Sequence, residues 1–181
     1  FTPLAVVCTH GHFDHLAALI PLLDYFRAQE VEVPIYIHRD DADFLGASAE
    51  ATHLENFRSL GIEYDPIFHG YLGSLPEPTK LLTEGDTLLD TDITVLHTPG
   101  HTAGGISLYS AKDMILFSGD TLFFEGVGRT DLPGGDMNIL VESIRTKLFT
   151  LPEDTRVFPG HGPFTTIERE KNHNPFIPTG S

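Results

Sequence analysis

A single cysteine, Cys8, stands in the 181 residues, so no intrachain disulfide braces this fold and a reducing cytoplasm is its expected setting. Basic side chains are scarce: eleven Lys and Arg face twenty-six Asp and Glu, for a formal charge of −15. Phosphate backbones are held by clustered Lys and Arg, so nucleic acid is excluded as a partner. No apolar run approaches the length of a membrane span and no signal peptide is visible, so no membrane partner is expected. A Gly-rich phosphate loop and a Ser-His-Asp arrangement are also lacking. An anionic substrate must therefore be drawn in by local charges, not by the field of the whole chain.

Hydrophobic residues make up 40% of the sequence, enough at this length for one good core, and one domain over residues 1–181 is expected. The seventeen glycines and thirteen prolines fall between periodic segments as turn punctuation. Patterning predicts a strand over 4–8 and a helix to about Gln29, broken or restarted at Pro21. A strand over 34–38, a short acidic helix after Asp40 and a helix over 49–60 follow. Residues 61–79 read as irregular. A β-rich middle comprises 80–83, 87–89, 93–97, 106–109 and 114–117. A long helix capped by Asp136 runs to about Phe149, a strand covers 156–158, and a short helix lies around 166–172. Cys8 ends an apolar strand and is read as a packed thiol.

The densest chemistry is Thr9-His10-Gly11-His12-Phe13-Asp14-His15, directly after the first apolar run. Residues two apart in extended chain point the same way, so His10 and His12 can present their rings to one point. Asp14 is placed at the N-cap of the apolar stretch that follows, where the turning backbone swings His15 to a neighbouring point. This layout fits two metals. Zinc accepts imidazole and carboxylate at about 2.0–2.2 Å, and two-metal hydrolytic centres hold their ions roughly 3.5–4 Å apart. A purification tag lacks the interleaved aspartate and does not follow a strand.

Two metals need more donors, and three glycine-flanked sites after strand-like runs supply candidates: His101 in TPGHTAGG, Asp120 after MILFSG, and His161 in FPGHGP. An aspartate at the mouth of a strand can bridge two cations with its two oxygens. The segments THGHFDH, TPGHT, SGDTLF, GVGRTDLPGGD and FPGHGP, spread from residue 9 to residue 163, resemble the metallo-beta-lactamase superfamily, and within it the compact bacterial glyoxalase II-like (hydroxyacylglutathione hydrolase) branch. The resemblance implies an α+β fold, the αββα sandwich, with the metals at one sheet edge. It implies that His10, His12 and His101 hold the first metal and Asp14, His15 and His161 the second, with Asp120 bridging. Zinc is expected, with iron or manganese acceptable to the same donors.

The activity so implied is hydrolysis of a small-molecule thioester such as S-lactoylglutathione by a metal-bridging hydroxide, with Asp14 and Asp120 as the catalytic carboxylates. Arg129 and Asp131 are read as a pair that orients a ligand or loop. Tyr71, Arg39, Arg129 and Lys171 are candidate contacts for the thiol carrier. Of His38, His53, His69, His97 and His173 none is expected to be a primary ligand, and His38 is the one expected nearest the site. The family places strands before its metal motif, which here arrives at residue 10, so an N-terminally incomplete domain with an open sheet edge is expected. Only twenty residues follow His161, too few for the helical domain that grips glutathione in larger members. Other readings are a mononuclear iron persulfide dioxygenase, a lactonase or other small-ester hydrolase, and a truncated metal-binding relic without activity.

Overall fold

The structure, a computed structural model, describes residues 2–63 and 70–177. Two sheets organise them. In the first, β1 (Val6–Val7), β2 (Ile35–His38) and β3 (Lys80–Leu82) lie parallel in that order. The second has five strands. β4 (Ile93–His97), β5 (Ile106–Ser110) and β6 (Ile115–Gly119) run as an antiparallel meander. A two-stranded hairpin follows, β7 (Leu122–Phe123) and β8 (Gly126–Val127). β9 (Arg156–Pro159) then pairs parallel with β6, and β10 (Thr165–Thr166) closes the far edge of the second sheet.

Alternation along the strands sorts the core into three layers. Val6, Cys8, Ile35 and Ile37 face one way, into a cluster with Leu16, Leu19, Leu45 and Leu54 from helical segments. Val7 and Tyr36 face the other way and meet Val95, Ile106 and Leu108 of the second sheet. The far side of that sheet, with Leu96, Tyr109, Leu116 and Val157, packs on Leu140, Ile144, Leu148 and Ile167. Helix, sheet, sheet, helix is the resulting order, the α+β sandwich expected from the sequence.

Helices whose bounds fall within the described residues are α1 (Phe13–Leu16), α2 (Leu19–Arg27), α3 (Ala49–Ser59), α4 (Met137–Ser143) and α5 (Ile167–His173). The break expected at Pro21 falls instead at Ala17–Ala18, and Pro21 sits in the first turn of α2, where its missing N–H costs nothing. The acidic segment after His38 is a 3₁₀ helix over Arg39–Phe44. Asp136 caps α4 as expected, accepting from the N–H groups of Asn138 (2.8 Å) and Ile139 (3.1 Å), but α4 is shorter than predicted and passes into a π-helical turn over Ile144–Leu148. Residues 87–89 form only an isolated bridge, Thr87 to Thr94. Of the segment read as irregular, residues 64–69 lie outside the described residues, and 70–72 form a helical turn. Among the described residues, no helix is long and apolar enough to cross a membrane.

Two main-chain bonds lock the sheet ends on which the candidate donors sit. The Ile106 N–H donates to Thr9 O (2.8 Å) across the two sheets, and the Gly160 N–H donates to Gly119 O (2.8 Å).

Candidate metal centre

All seven predicted donors converge at these ends. His10 and His12 follow β1, Asp14 and His15 belong to α1, His101 lies between β4 and β5, Asp120 follows β6, and His161 follows β9. Donor atoms of His10, His12 and His101 lie within 4.8 Å of one another, and so do those of Asp14, His15 and His161. Asp120 stands between the two groups. Its Oδ1 is 3.3 Å from His15 Nε2, and its Oδ2 is 3.5 Å from His161 Nε2 and 3.7 Å from His101 Nε2.

Four ligands at about 2.0–2.1 Å in a tetrahedron stand roughly 3.3–3.4 Å apart. The contacts seen here have that scale: His12 Nδ1 to His101 Nε2 is 2.8 Å, His15 Nε2 to His161 Nε2 is 3.1 Å, and His161 Nε2 to Asp14 Oδ2 is 3.0 Å. His10 Nε2 is buried and has no hydrogen-bond partner among the described residues, and the nitrogens His12 Nδ1 and His101 Nε2 face each other without an intervening acceptor group. A Cβ added at Gly160 would stand 2.2 Å from Asp120 Oδ1 and 2.7 Å from His15 Cε1, so glycine keeps this space open. Unpaired donors converging on space that no side chain fills suit divalent cations.

Electrostatics agree. Burial, and then the neighbouring imidazoles, push His10 well below its ordinary pKa, and burial followed by His101 lowers His12 to about 4. Burial also lowers His101, against the opposing pull of the Arg129 carbonyl and Asp120. These rings are neutral at pH 7 and offer lone pairs. For His15 burial acts against the charge, but the hydrogen bond to Asp120 and the charges of Asp120 and Asp14 outweigh it and raise the pKa. For Asp120 the opposing burial is outweighed by the His15 hydrogen bond and the surrounding imidazoles, which hold the carboxyl below its usual range.

Local folding aims the rings. His101 Nδ1 lies 2.7 Å from Arg129 O, so it carries the proton and leaves Nε2 free for the centre. His12, not Asp14, is the N-cap residue of α1. Asp14 sits in the first turn, which frees its carboxylate to meet His161 instead of capping the helix. Asp41 was not anticipated. Its carboxylate, 1% exposed, accepts from Gly11 N–H (2.9 Å), Thr102 Oγ1–H (2.8 Å) and Gly104 N–H (2.6 Å), and so ties the His10–His12 loop to the His101 loop. Nothing in the run Arg39-Asp40-Asp41 distinguishes it from a solvated acid.

Arg129 and Asp131 form a bidentate pair (2.7 and 2.8 Å), and the guanidinium hydrogen bond brings Asp131 down to about 2. The contact with His101 is made by the Arg129 carbonyl, not by its side chain. Cys8 is buried, and burial pushes its thiol up to about 12, which removes it as a thiolate donor. His38 does not approach the centre. It stacks on His97 (centroids 4.0 Å, planes 14° apart) beside Asp40, and parallel imidazoles cannot both hold one ion in plane. His69 lies outside the described residues.

A cavity of about 440 Å³ opens beside the donors, lined by Asp14, His101, Asp120 and His161 on one side. Phe13, Phe123 and Leu132, together with His53, Asn56, Phe57 and Leu60 along α3, form most of the rest, and Arg129 also lines it. The α3 residues recur at 53, 56, 57 and 60, a helical face that sequence reading passed over. Tyr71 bonds Ala17 O (2.5 Å), and Lys171 pairs with Glu153 (3.5 Å); neither these two nor Arg39 lines the cavity.

Two clusters of imidazole and carboxylate donors sharing one aspartate, set at the ends of strands in an αββα sandwich, define a metal-dependent hydrolase scaffold. The chain belongs to the metallo-beta-lactamase superfamily, whose family model matches residues 1–161. The "Probable metallo-hydrolase YqgX" of Bacillus subtilis (strain 168) is 38% identical over 179 residues, covering 97% of this chain and 76% of that protein. The "Hydroxyacylglutathione hydrolase GloC" of Haemophilus influenzae is 35% identical over 175 residues, covering 95% and 74%. Among solved structures, TTHA1623 in a di-iron-bound form superposes with a TM-score of 0.76 at 38% identity, covering 97% of this chain and 78% of that one.

Proposed function

We propose that this metallo-hydrolase cleaves a glutathione-type thioester such as S-lactoylglutathione. The carrying observation is the convergence of seven donors beside a cavity of about 440 Å³, within the size range of small-molecule sites. The similarity to GloC supports the substrate class. His10, His12 and His101 would hold one divalent cation and Asp14, His15 and His161 a second, with Asp120 shared. Bound there, the cations supply Lewis acidity and bring the pKa of water to about 7.

The chain's own groups do the rest. The neutral rings of His10, His12 and His101 give up lone pairs without releasing protons. Asp14, which lines the cavity, holds the proton taken from the attacking water. Water oxygen bonds the carbonyl carbon, the carbon–sulfur bond breaks, and the sulfur departs with that proton as a thiol. Phe13, Phe57, Leu60 and Phe123 exclude bulk water from the reacting bond. Zinc is the first reading of the metal. Iron is the second, favoured by the likeness to TTHA1623 in its di-iron-bound form.

The test is elemental analysis of untagged protein together with S-lactoylglutathione turnover. About two metals per chain with turnover sustains the reading. One iron per chain, with oxygen consumed in the presence of glutathione persulfide, replaces it with the dioxygenase.

A further inference from the structure

On its α3 side the cavity is lined by a residue with a polar atom that neither the fold nor the metal centre uses. Asn56, 6% exposed on α3, donates through Nδ2 to Thr52 O (3.3 Å), which fixes the orientation of its amide. Its Oδ1 is buried and has no hydrogen-bond partner among the described residues. A buried acceptor left unpaired is costly, and in a residue that lines a cavity it marks where a ligand donor belongs. Of the lining residues that α3 and its C-terminal end contribute, His53, Asn56, Phe57 and Leu60, none carries a carboxylate, and burial holds the His53 ring below its ordinary pKa. A neutral donor suits this side of the cavity, where an ammonium would meet no carboxylate from α3. Oδ1 is itself closed to solvent, while the neighbouring lining residues Phe57 and Leu60 are half-buried and 36% exposed, so a donor reaches Oδ1 by displacing side chains.

We infer that Asn56 is a specificity-determining residue whose Oδ1 accepts a hydrogen bond from an amide N–H of the substrate's thiol carrier. The inference rests on the thioesterase reading for the identity of the carrier, and it extends that reading to one defined contact. The acyl carbonyl must lie at the His and Asp donors, whereas α3 contributes none of them. The group that reaches Asn56 is therefore one other than the reacting carbonyl, and in a peptide-like carrier the amide N–H groups are such groups.

The experiment compares S-lactoylglutathione with analogues in which each amide N–H is replaced in turn by an ester oxygen, using metal-loaded protein. Wild-type protein is expected to lose at least tenfold in kcat/KM on one of the two analogues, mainly through KM. Asn56→Leu, which keeps the bulk and removes the acceptor, should fall at least tenfold on the parent thioester and no longer distinguish it from that analogue. Asn56→Asp, which keeps an acceptor oxygen, should retain the distinction. Binding of the inert thioether S-methylglutathione, followed by calorimetry, should weaken at least tenfold in Asn56→Leu.

The inference is overturned if wild type tolerates both ester replacements, a measurement that needs no variant. It is equally overturned if Asn56→Leu keeps the wild-type distinction, or if sensitivity to residue 56 follows deletion of the acyl hydroxyl instead of an amide N–H. Absence of thioester hydrolysis with Asn56-dependent binding of S-methylglutathione would remove the thioesterase reading and leave the amide contact standing. Binding of S-methylglutathione that is absent, or equal in the two proteins, would remove the contact.

Discussion

The substitution Asp41→Asn tests how much of the metal centre is held in place by a residue that touches no metal donor directly. The Asp41 carboxylate receives three donors, two of them main-chain N–H groups from the loops bearing His10, His12 and His101. The carboxamide of the variant would present one acceptor oxygen and one NH₂ to these donors. The Thr102 hydroxyl can reverse and accept, but a main-chain N–H cannot, so at least one of Gly11 and Gly104 would face a donor. Hydrogen bonds to a charged group contribute about 1.5–3 kcal/mol each, so we expect a loss of about 2–4 kcal/mol in the metal-free protein. For a chain of this length each kcal/mol lowers Tm by about 2–4 °C, which puts the shift at roughly 4–16 °C. Relaxed aim of His12 and His101 should weaken metal binding by about 10–100-fold, the usual cost of losing a group that orients ligands. Thermal unfolding after chelation gives the first quantity, and competition with a chromogenic chelator gives the second. A variant with unchanged Tm and unchanged metal affinity would refute the idea that Asp41 pins the two loops.

Gly160→Ala places a Cβ 2.2 Å from Asp120 Oδ1, so metal content should drop by about one ion per chain; two retained ions by elemental analysis would contradict this. Arg129→Ala should leave metal content unchanged, because the acceptor for His101 Nδ1 is main chain, and should cost less than about 1 kcal/mol since its ion pair is exposed. Loss of metal from that variant would assign the orienting role to the guanidinium. Burial holds the pKa of His53 below the unfolded value of 6.5, so the unfolded chain takes up its proton first as pH falls. The stability that neutral His53 contributes is therefore fully present above pH 6.5 and is lost as pH falls through that value toward the folded pKa. Tm measured between about pH 7 and pH 5 should fall less steeply in His53→Gln than in wild type, and equal slopes would remove His53 as a source of the dependence.

The seven candidate donors were legible in the sequence because five of them, His10, His12, His101, Asp120 and His161, stand beside glycine after a strand-like run, and Asp14 and His15 complete the same dense segment as His10 and His12. The two-sheet sandwich was implied by the family resemblance that the donor-bearing segments carry. What escaped was set by long-range geometry. Asp41 reads like any solvated acid, and only the approach of two distant loops gives its carboxylate three donors. The α3 wall is an ordinary amphipathic face until the cavity shows which side it presents. Asp14 was misplaced as an N-cap because sequence preference for capping competes with the demand for a free carboxylate at the centre. His38 follows a strand as the donors do, but it turns to stack on His97, and His53 lines the cavity in its stead.

The donors come from both sheets: residues 10–15 follow the first, and residues 101, 120 and 161 follow strands of the second. Ions bound between them would act as a staple across the sandwich, closing chain loops that run from near its beginning to residue 161. Each site at a hundredfold excess of metal over its Kd adds about 2.7 kcal/mol to folding. The folded population would then rise and fall with the free metal around the protein, so that the donors proposed to serve hydrolysis would also make the fold a gauge of metal supply.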